Sequence, residues 1–144
     1  MIEVEARVEI DRSPETIFAF LADMSNNPKW QKGMQECRWT SKPPLRLGST
    51  YDQVARFLGK EIVSSFVVTE LEPGHRIRIQ TTSGTMPIDV TREVVTVSTG
   101  GSSVSAIVRG DPTGVFRLAA PLMTLMVRRS VTRDYRRLKE MLEN

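Results

Sequence analysis

TGVFRLAAPLMTLMVRRSVTRDYRRLKEMLEN, residues Thr113 to Asn144, decides the fold of this chain. At about 100° per residue, Phe116, Ala120, Met123, Val127, Val131, Leu138 and Leu142 fall on one stripe, which predicts a single long helix from Thr113 to the end. No other segment is long enough to be its helical partner, so the stripe must lie across a sheet and create a groove beneath it. In the first half a second apolar face appears, made of Leu118, Leu122, Leu125 and Met126; further on the same face carries Arg129, Arg133, Arg136 and Arg137. Three readings compete for that patch. It packs under the protein's own loops, lines a cavity entrance, or meets a partner such as a second copy of the chain or a membrane surface. A helix that is apolar all round is usually buried, which favours loop packing. Pro121 is expected to weaken the helix in this half.

The net charge of +3 belongs to the same segment. Residues 1 to 127 hold fourteen Lys/Arg and fourteen Asp/Glu and sum to zero. Arg128, Arg129, Arg133, Arg136, Arg137 and Lys139 then face only Asp134, Glu140 and Glu143. Such a stripe reads as a solvated helix face, with cations favoured near a helix C-terminus. Nucleic-acid binding would need a broader basic surface with interleaved aromatics, and only Tyr135 lies among these residues.

Upstream, Ile2, Val4, Ala6, Val8 and Ile10 alternate with Glu3, Glu5, Arg7, Glu9 and Asp11, which predicts a strand with one wet face. Ser13-Pro14-Glu15 opens a short helix ending near Met24, with serine as cap and proline at the first helical position. Asn26-Asn27-Pro28 breaks the chain before a single turn carrying Trp30. From Gln35 to Asp111, Pro43-Pro44, Leu58-Gly59-Lys60, Glu72-Pro73-Gly74, Ser83-Gly84 and Gly100-Gly101 divide a Val-, Ile- and Thr-rich segment into six strands. Alternation points Cys37, Trp39, Tyr51, Gln53, Ala55 and Phe57 inward. Later strands add Ile77, Ile79 and Thr81, then Ile88, Val90, Arg92 and Val94, then Val104, Ala106 and Val108. Glu61 to Leu71 is ambiguous, because Ile62, Phe66 and Val68 oppose Val63, Val67 and Leu71.

This order of elements, with Ile10-Asp11-Arg12-Ser13-Pro14-Glu15-Thr16-Ile17-Phe18 followed by Asp23, Pro28 and Trp30, resembles the START-like (SRPBCC) superfamily. Gly48-Ser49-Thr50, the stretch from Val68 to Ile77 and the ending Tyr135-Arg136-Arg137-Leu138-Lys139-Glu140-Met141-Leu142 carry the likeness further. It is most similar to the polyketide cyclase/dehydrase and lipid-transport branch. The resemblance implies one α+β helix-grip domain over residues 1–144: a seven-stranded antiparallel sheet around the C-terminal helix, with two short helices between the first two strands. It also implies a large apolar cavity between sheet and helix, and no shared catalytic set. The chain departs from many relatives in its aliphatic stretch Val90 to Val97, where they are aromatic-rich.

The chemistry visible in the residues is sparse. With one His and one Cys, a nucleophilic pair would require His75 and Cys37 to meet, and the turn Pro73-Gly74-His75-Arg76 places His75 as a solvated residue far from the strand of Cys37. Cys37 reads as a small core residue. No metal cluster and no phosphate-cradling glycine loop is present, so no cofactor is expected. Arg92 stands out as a charge on an apolar strand face: it pairs with an acid, reaches the cavity mouth, or binds an anionic ligand group. The candidate ligand-binding residues are Trp39, Tyr51, Gln53, Phe57, Ile79, Val90, Arg92, Val108, Phe116 and Met123.

At 144 residues and 40% hydrophobic, a single domain burying about 70% of its unfolded surface is expected. The lone cysteine, a start without signal-peptide layout and an apolar run of only ten residues, Leu118 to Val127, lead to the expectation of a cytoplasmic protein without a membrane span. The leading functional expectation is binding of a hydrophobic small molecule, lipid-, fatty-acid- or polyketide-like. The alternatives are a cyclase/dehydratase in which Tyr51 or Arg92 stabilises an enolate, and an interaction module, such as a homodimer through Leu118, Leu122, Leu125 and Met126.

Overall fold

The computed structural model describes residues 1–57, 59–84, 86–97, 100–112 and 117–144, with the side chain of Phe57 outside that description. β1 (Ile2–Ile10) leads to α1 (Pro14–Ala22), a 3-10 turn (Met24–Asn26) and α2 (Asn27–Trp30). Six strands follow: β2 (Met34–Trp39), β3 (Thr50–Phe57), β4 (Lys60–Glu72), β5 (Arg76–Ser83), β6 (Ile88–Thr96) and β7 (Ser102–Gly110). α3 (Ala120–Glu143) closes the chain. All seven strands form one antiparallel sheet in the order β1-β7-β6-β5-β4-β3-β2, the helix-grip architecture. No helix among the described residues is long and apolar enough to cross a membrane.

The local signals act as their chemistry requires. Ser13 Oγ accepts the Thr16 N–H at 3.2 Å and Pro14 opens α1, whose Ile17 and Leu21 are fully buried. The inward residues Ile77, Ile79, Val90, Val94, Val104 and Ala106 are buried. The ambiguity in β4 has a physical origin: register shifts lie between Ser65 and Phe66 and between Val68 and Glu70. The second shift inserts Thr69 into β4 and exchanges its faces there, so Phe66 and Val68 point inward before it and Leu71 joins the core after it. Val63 lies on the opposite face and is exposed; the first shift leaves Thr82 of β5 unpaired and keeps the alternation of β4. On the outer face Arg78 bridges Asp89 and Glu70 at 2.7 and 3.0 Å, and holds the Asp89 carboxyl below its usual range.

Two expectations about the closing helix change. It begins at Ala120, and Pro121 occupies its first turn, where the missing N–H has no intrahelical acceptor to lose. Proline therefore starts this helix instead of weakening it. The apolar patch is not packed under loops: Leu118 is 91% exposed, and Leu122, Leu125 and Met126 lie between 45% and 60%. Burial concentrates in the second half, where Tyr135 and Leu138 are enclosed. That half is also tied down by polar contacts. Lys139 Nζ donates to the Glu9 carbonyl at 2.7 Å, the Asp11 N–H donates to Glu143 Oε2 at 2.9 Å, and Arg12 Nη2 donates to the Glu143 carbonyl at 3.0 Å.

Candidate ligand cavity beneath the closing helix

Arg92 occupies the middle of β6, opposite Ala106 on β7 and Ile77 on β5. The strand alternation turns its side chain inward, and the small Ala106 beside it limits crowding of the guanidinium. Arg92 is only 6% exposed. Its Nε donates to the Tyr135 hydroxyl of α3 at 3.0 Å, and its guanidinium carbon lies 5.3 Å from the centroid of the Trp30 ring. Trp30, the last residue of α2, meets Tyr135 edge-on with centroids 5.0 Å apart. Strand, short helix and closing helix thus converge on one charge. Among the described residues no carboxylate comes within 4.0 Å of Arg92.

This cluster forms one side of a cavity of about 170 Å³ between sheet and α3. Phe66, Ile79, Ile88, Val90 and Val108 supply apolar walls from the strands, and Val131 lies above them on α3. Gln31, Gln53, Arg92, Asp134 and Tyr135 supply the polar groups. Several of these have unused hydrogen-bonding capacity: Arg92 Nη1, Gln31 Nε2, Trp30 Nε1 and Gln53 Oε1 are buried without a partner among the described residues. Buried polar groups are normally satisfied, so their concentration around one cavity is informative.

Asp134 also borders the cavity, yet its Oδ1 accepts the Lys32 N–H at 3.2 Å and lies 4.0 Å from Arg137 Nη1. Burial raises its carboxyl above the usual range, although Arg137, Arg133 and Arg92 work against that shift. A raised native value means the folded state holds the proton more tightly. The associated stability is present below the unfolded carboxyl range and is lost as pH rises through the native value. Asp134→Asn keeps the acceptor for Lys32 and removes the ionisation. The variant should therefore be more stable than the parent at neutral pH, by less than about 1 kcal/mol, with no advantage in acid. Urea denaturation at both pH values measures this, and a variant weaker than the parent only at neutral pH would contradict it.

Burial pushes the hydroxyls of Tyr51 and Tyr135 above the ordinary phenol range, opposed in both by Arg92. Tyr51 stacks on Phe66 at 5.5 Å and its hydroxyl has no partner among the described residues. The Cys37 thiol is pushed up to about 12 by burial, so it stays protonated and unreactive at neutral pH. His75 is half-buried and not freely solvated. Its Nδ1 lies 2.9 Å from the Val94 carbonyl and its Nε2 3.8 Å from Glu93, which fastens the β4–β5 turn to β6.

Of the residues named from sequence, Gln53, Ile79, Val90, Arg92 and Val108 meet around this cavity. Tyr51 is fully buried next to Phe66, behind the wall. Met123 is half-buried and apart from the cavity. Phe116 and the side chain of Phe57 lie outside the described residues. Trp39 belongs elsewhere, with Phe18, Ala22, Leu45 and Leu71 in a groove of about 680 Å³ beside α1. That groove is larger, but Asp23 in it is satisfied locally, its Oδ1 accepting the Ser25 N–H and hydroxyl at 3.1 and 2.6 Å. It lacks the unpartnered buried groups that mark the inner cavity.

Sequence reasoning missed Trp30 and Tyr135 as site residues. The signal for Tyr135 was present, since Val127, Val131, Tyr135, Leu138 and Leu142 follow one helical stripe at spacings of four, four, three and four. The cavity is also smaller than the resemblance implied.

A family model described as polyketide cyclase/dehydrase and lipid transport matches residues 1–143. Among curated proteins none matches the sequence. Solved structures share the fold at low identity. The protein TTHA0849 from Thermus thermophilus is 18% identical, with 96% of this chain and 94% of that chain covered and a TM-score of 0.82. A START superfamily protein from Mycobacterium smegmatis is 14% identical over 99% of both chains, with a TM-score of 0.77. The Zhui aromatase/cyclase from a Streptomyces species is 11% identical, covering 96% and 92%, with a TM-score of 0.75.

Proposed function

The chain belongs to the polyketide cyclase/dehydrase and lipid-transport family, and from that membership we propose that it binds a hydrophobic small molecule in the cavity between the sheet and α3. The observation that carries this reading is a buried guanidinium without a carboxylate partner among the described residues, at the side of a mostly apolar cavity. Replacing buried ionic groups by apolar ones is often neutral or stabilising, so a charge kept there without a salt bridge suits a binding role better than a structural one. Apolar walls supply the affinity and a few polar groups fix orientation.

A cyclase-type reaction would use the same cavity, with Arg92 facing an enolate oxygen. Such chemistry calls for groups that exchange protons near the working pH. Burial displaces Tyr51, Tyr135 and Cys37 upward, away from it, and Asp134, whose carboxyl burial raises toward it, is already engaged by the Lys32 N–H and Arg137. Binding without turnover is the better supported of the two.

Native mass spectrometry of protein purified without detergent, combined with calorimetric titration of a single-ring apolar probe such as toluene, tests the reading. A releasable apolar adduct or saturable one-to-one probe binding is expected. Neither adduct nor saturable binding would refute it, and turnover of a poly-β-ketone thioester would move the assignment to the cyclase.

A further inference from the structure

We propose that the ligand of this cavity is a compact hydrophobic carboxylate, about the size of a single substituted ring, held by Arg92, Gln31 and Trp30. The inference rests on the binding reading above and narrows it by charge and by size.

Charge follows from the balance of unused groups. Arg92 Nη1, Gln31 Nε2 and Trp30 Nε1 are three unpartnered donors on residues lining the cavity, against one unpartnered acceptor there, Gln53 Oε1. Arg92 adds a permanent positive charge, and burial at 6% exposure removes most of the solvent that would screen it. The nearby acid, Asp134, is directed to the Lys32 N–H and Arg137 and does not neutralise Arg92 by a salt bridge. A donor-rich, positively charged wall calls for an acceptor-rich anion, and a carboxylate matches the planar guanidinium. Nε is occupied by the Tyr135 hydroxyl, which fixes the guanidinium plane and leaves Nη1 to meet the ligand.

Size follows from the volume. The cavity of about 170 Å³ is close to the roughly 150 Å³ that holds a benzene molecule in an engineered protein cavity. It lies below the usual range of about 300–1,000 Å³ for sites that take drug-sized ligands. A long acyl chain or a folded polyketide exceeds it several-fold. Ile79, Val90, Phe66 and Val108 offer flat and branched apolar surface on the side away from the charge, which suits a ring or a short branched chain.

The test is isothermal titration of the intact protein with benzoate, its neutral isostere nitrobenzene, and palmitate. Benzoate should bind saturably and at least tenfold more tightly than nitrobenzene. In Arg92→Met that preference should disappear while nitrobenzene still binds, and Gln31→Leu should weaken benzoate severalfold. Because Arg92→Met could fail to fold, the benzoate and nitrobenzene pair on the parent protein decides the question alone. Equal binding of the two overturns the carboxylate assignment and leaves the hydrophobic-ligand reading standing. Palmitate binding without benzoate binding does the same. No binding by any of the three overturns both.

Discussion

Replacing Trp30 by alanine is expected to remove about 3–5 kcal/mol of unfolding free energy, the range for deleting a large buried aromatic. Trp30 is 1% exposed and touches three elements at once: it ends α2, meets Tyr135 of α3 edge-on, and lies beneath the Arg92 guanidinium. Its loss leaves a cavity next to a buried charge and removes the aromatic face that partly offsets that charge's desolvation. Domains of this size are typically stable by only about 5–15 kcal/mol, so the variant should populate the unfolded state measurably at 37 °C. Trp30→Phe should recover more than half of the loss by restoring the ring. Urea denaturation followed by far-UV circular dichroism gives both values, and a loss under about 1 kcal/mol for the alanine variant would show that the cluster does not hold the helices to the sheet.

The second large effect separates the two halves of α3. Leu138→Ala should cost about 2–5 kcal/mol, because Leu138 is fully enclosed in the core and its removal leaves a void that packed neighbours close only in part. Leu122→Ala, sixteen positions earlier on the same helix, should change stability by no more than about 0.5 kcal/mol, since its side chain is 60% exposed. The same denaturation experiment measures the contrast. Similar costs at the two sites would mean that the first half of the helix is packed against something the exposed surface does not reveal.

The architecture was legible because several signals agreed. In β1 the alternation of aliphatic and charged residues admits one register, and the Ser13-Pro14 pair marks a helix start through two independent backbone requirements. β4 resisted because the extra residue Thr69 exchanges its faces near the end of the strand, so Leu71 joins the core with Phe66 and Val68 despite its odd spacing from them. The start of α3 was placed too early because Val115 to Leu118 continues the apolar pattern with no side-chain cap to stop it; Ala119 at the cap position forms no side-chain hydrogen bond.

The site was legible in part for the same kind of reason. A charge at Arg92 breaks a period-two pattern and announces itself. Its partners do not, since Tyr135 sits among arginines and Trp30 on a four-residue helix, and only the curl of the sheet brings them within reach of β6. Cavity volume is a difference between large packed volumes and has no sequence signature, which is why the implied large pocket and the observed small one diverge.

β2 is one edge of the sheet, six residues long, with a register shift between Met34 and Glu36 and with Glu36 and Arg38 exposed. A short, irregular and charged margin is a poor template for a foreign strand, because another chain would have to match an interrupted row of amides while burying two charges. This margin of the sheet is thereby guarded against strand addition, whereas β1 at the opposite margin is nine residues long and pairs with β7 without a register shift, so any edge-to-edge growth would have to start there.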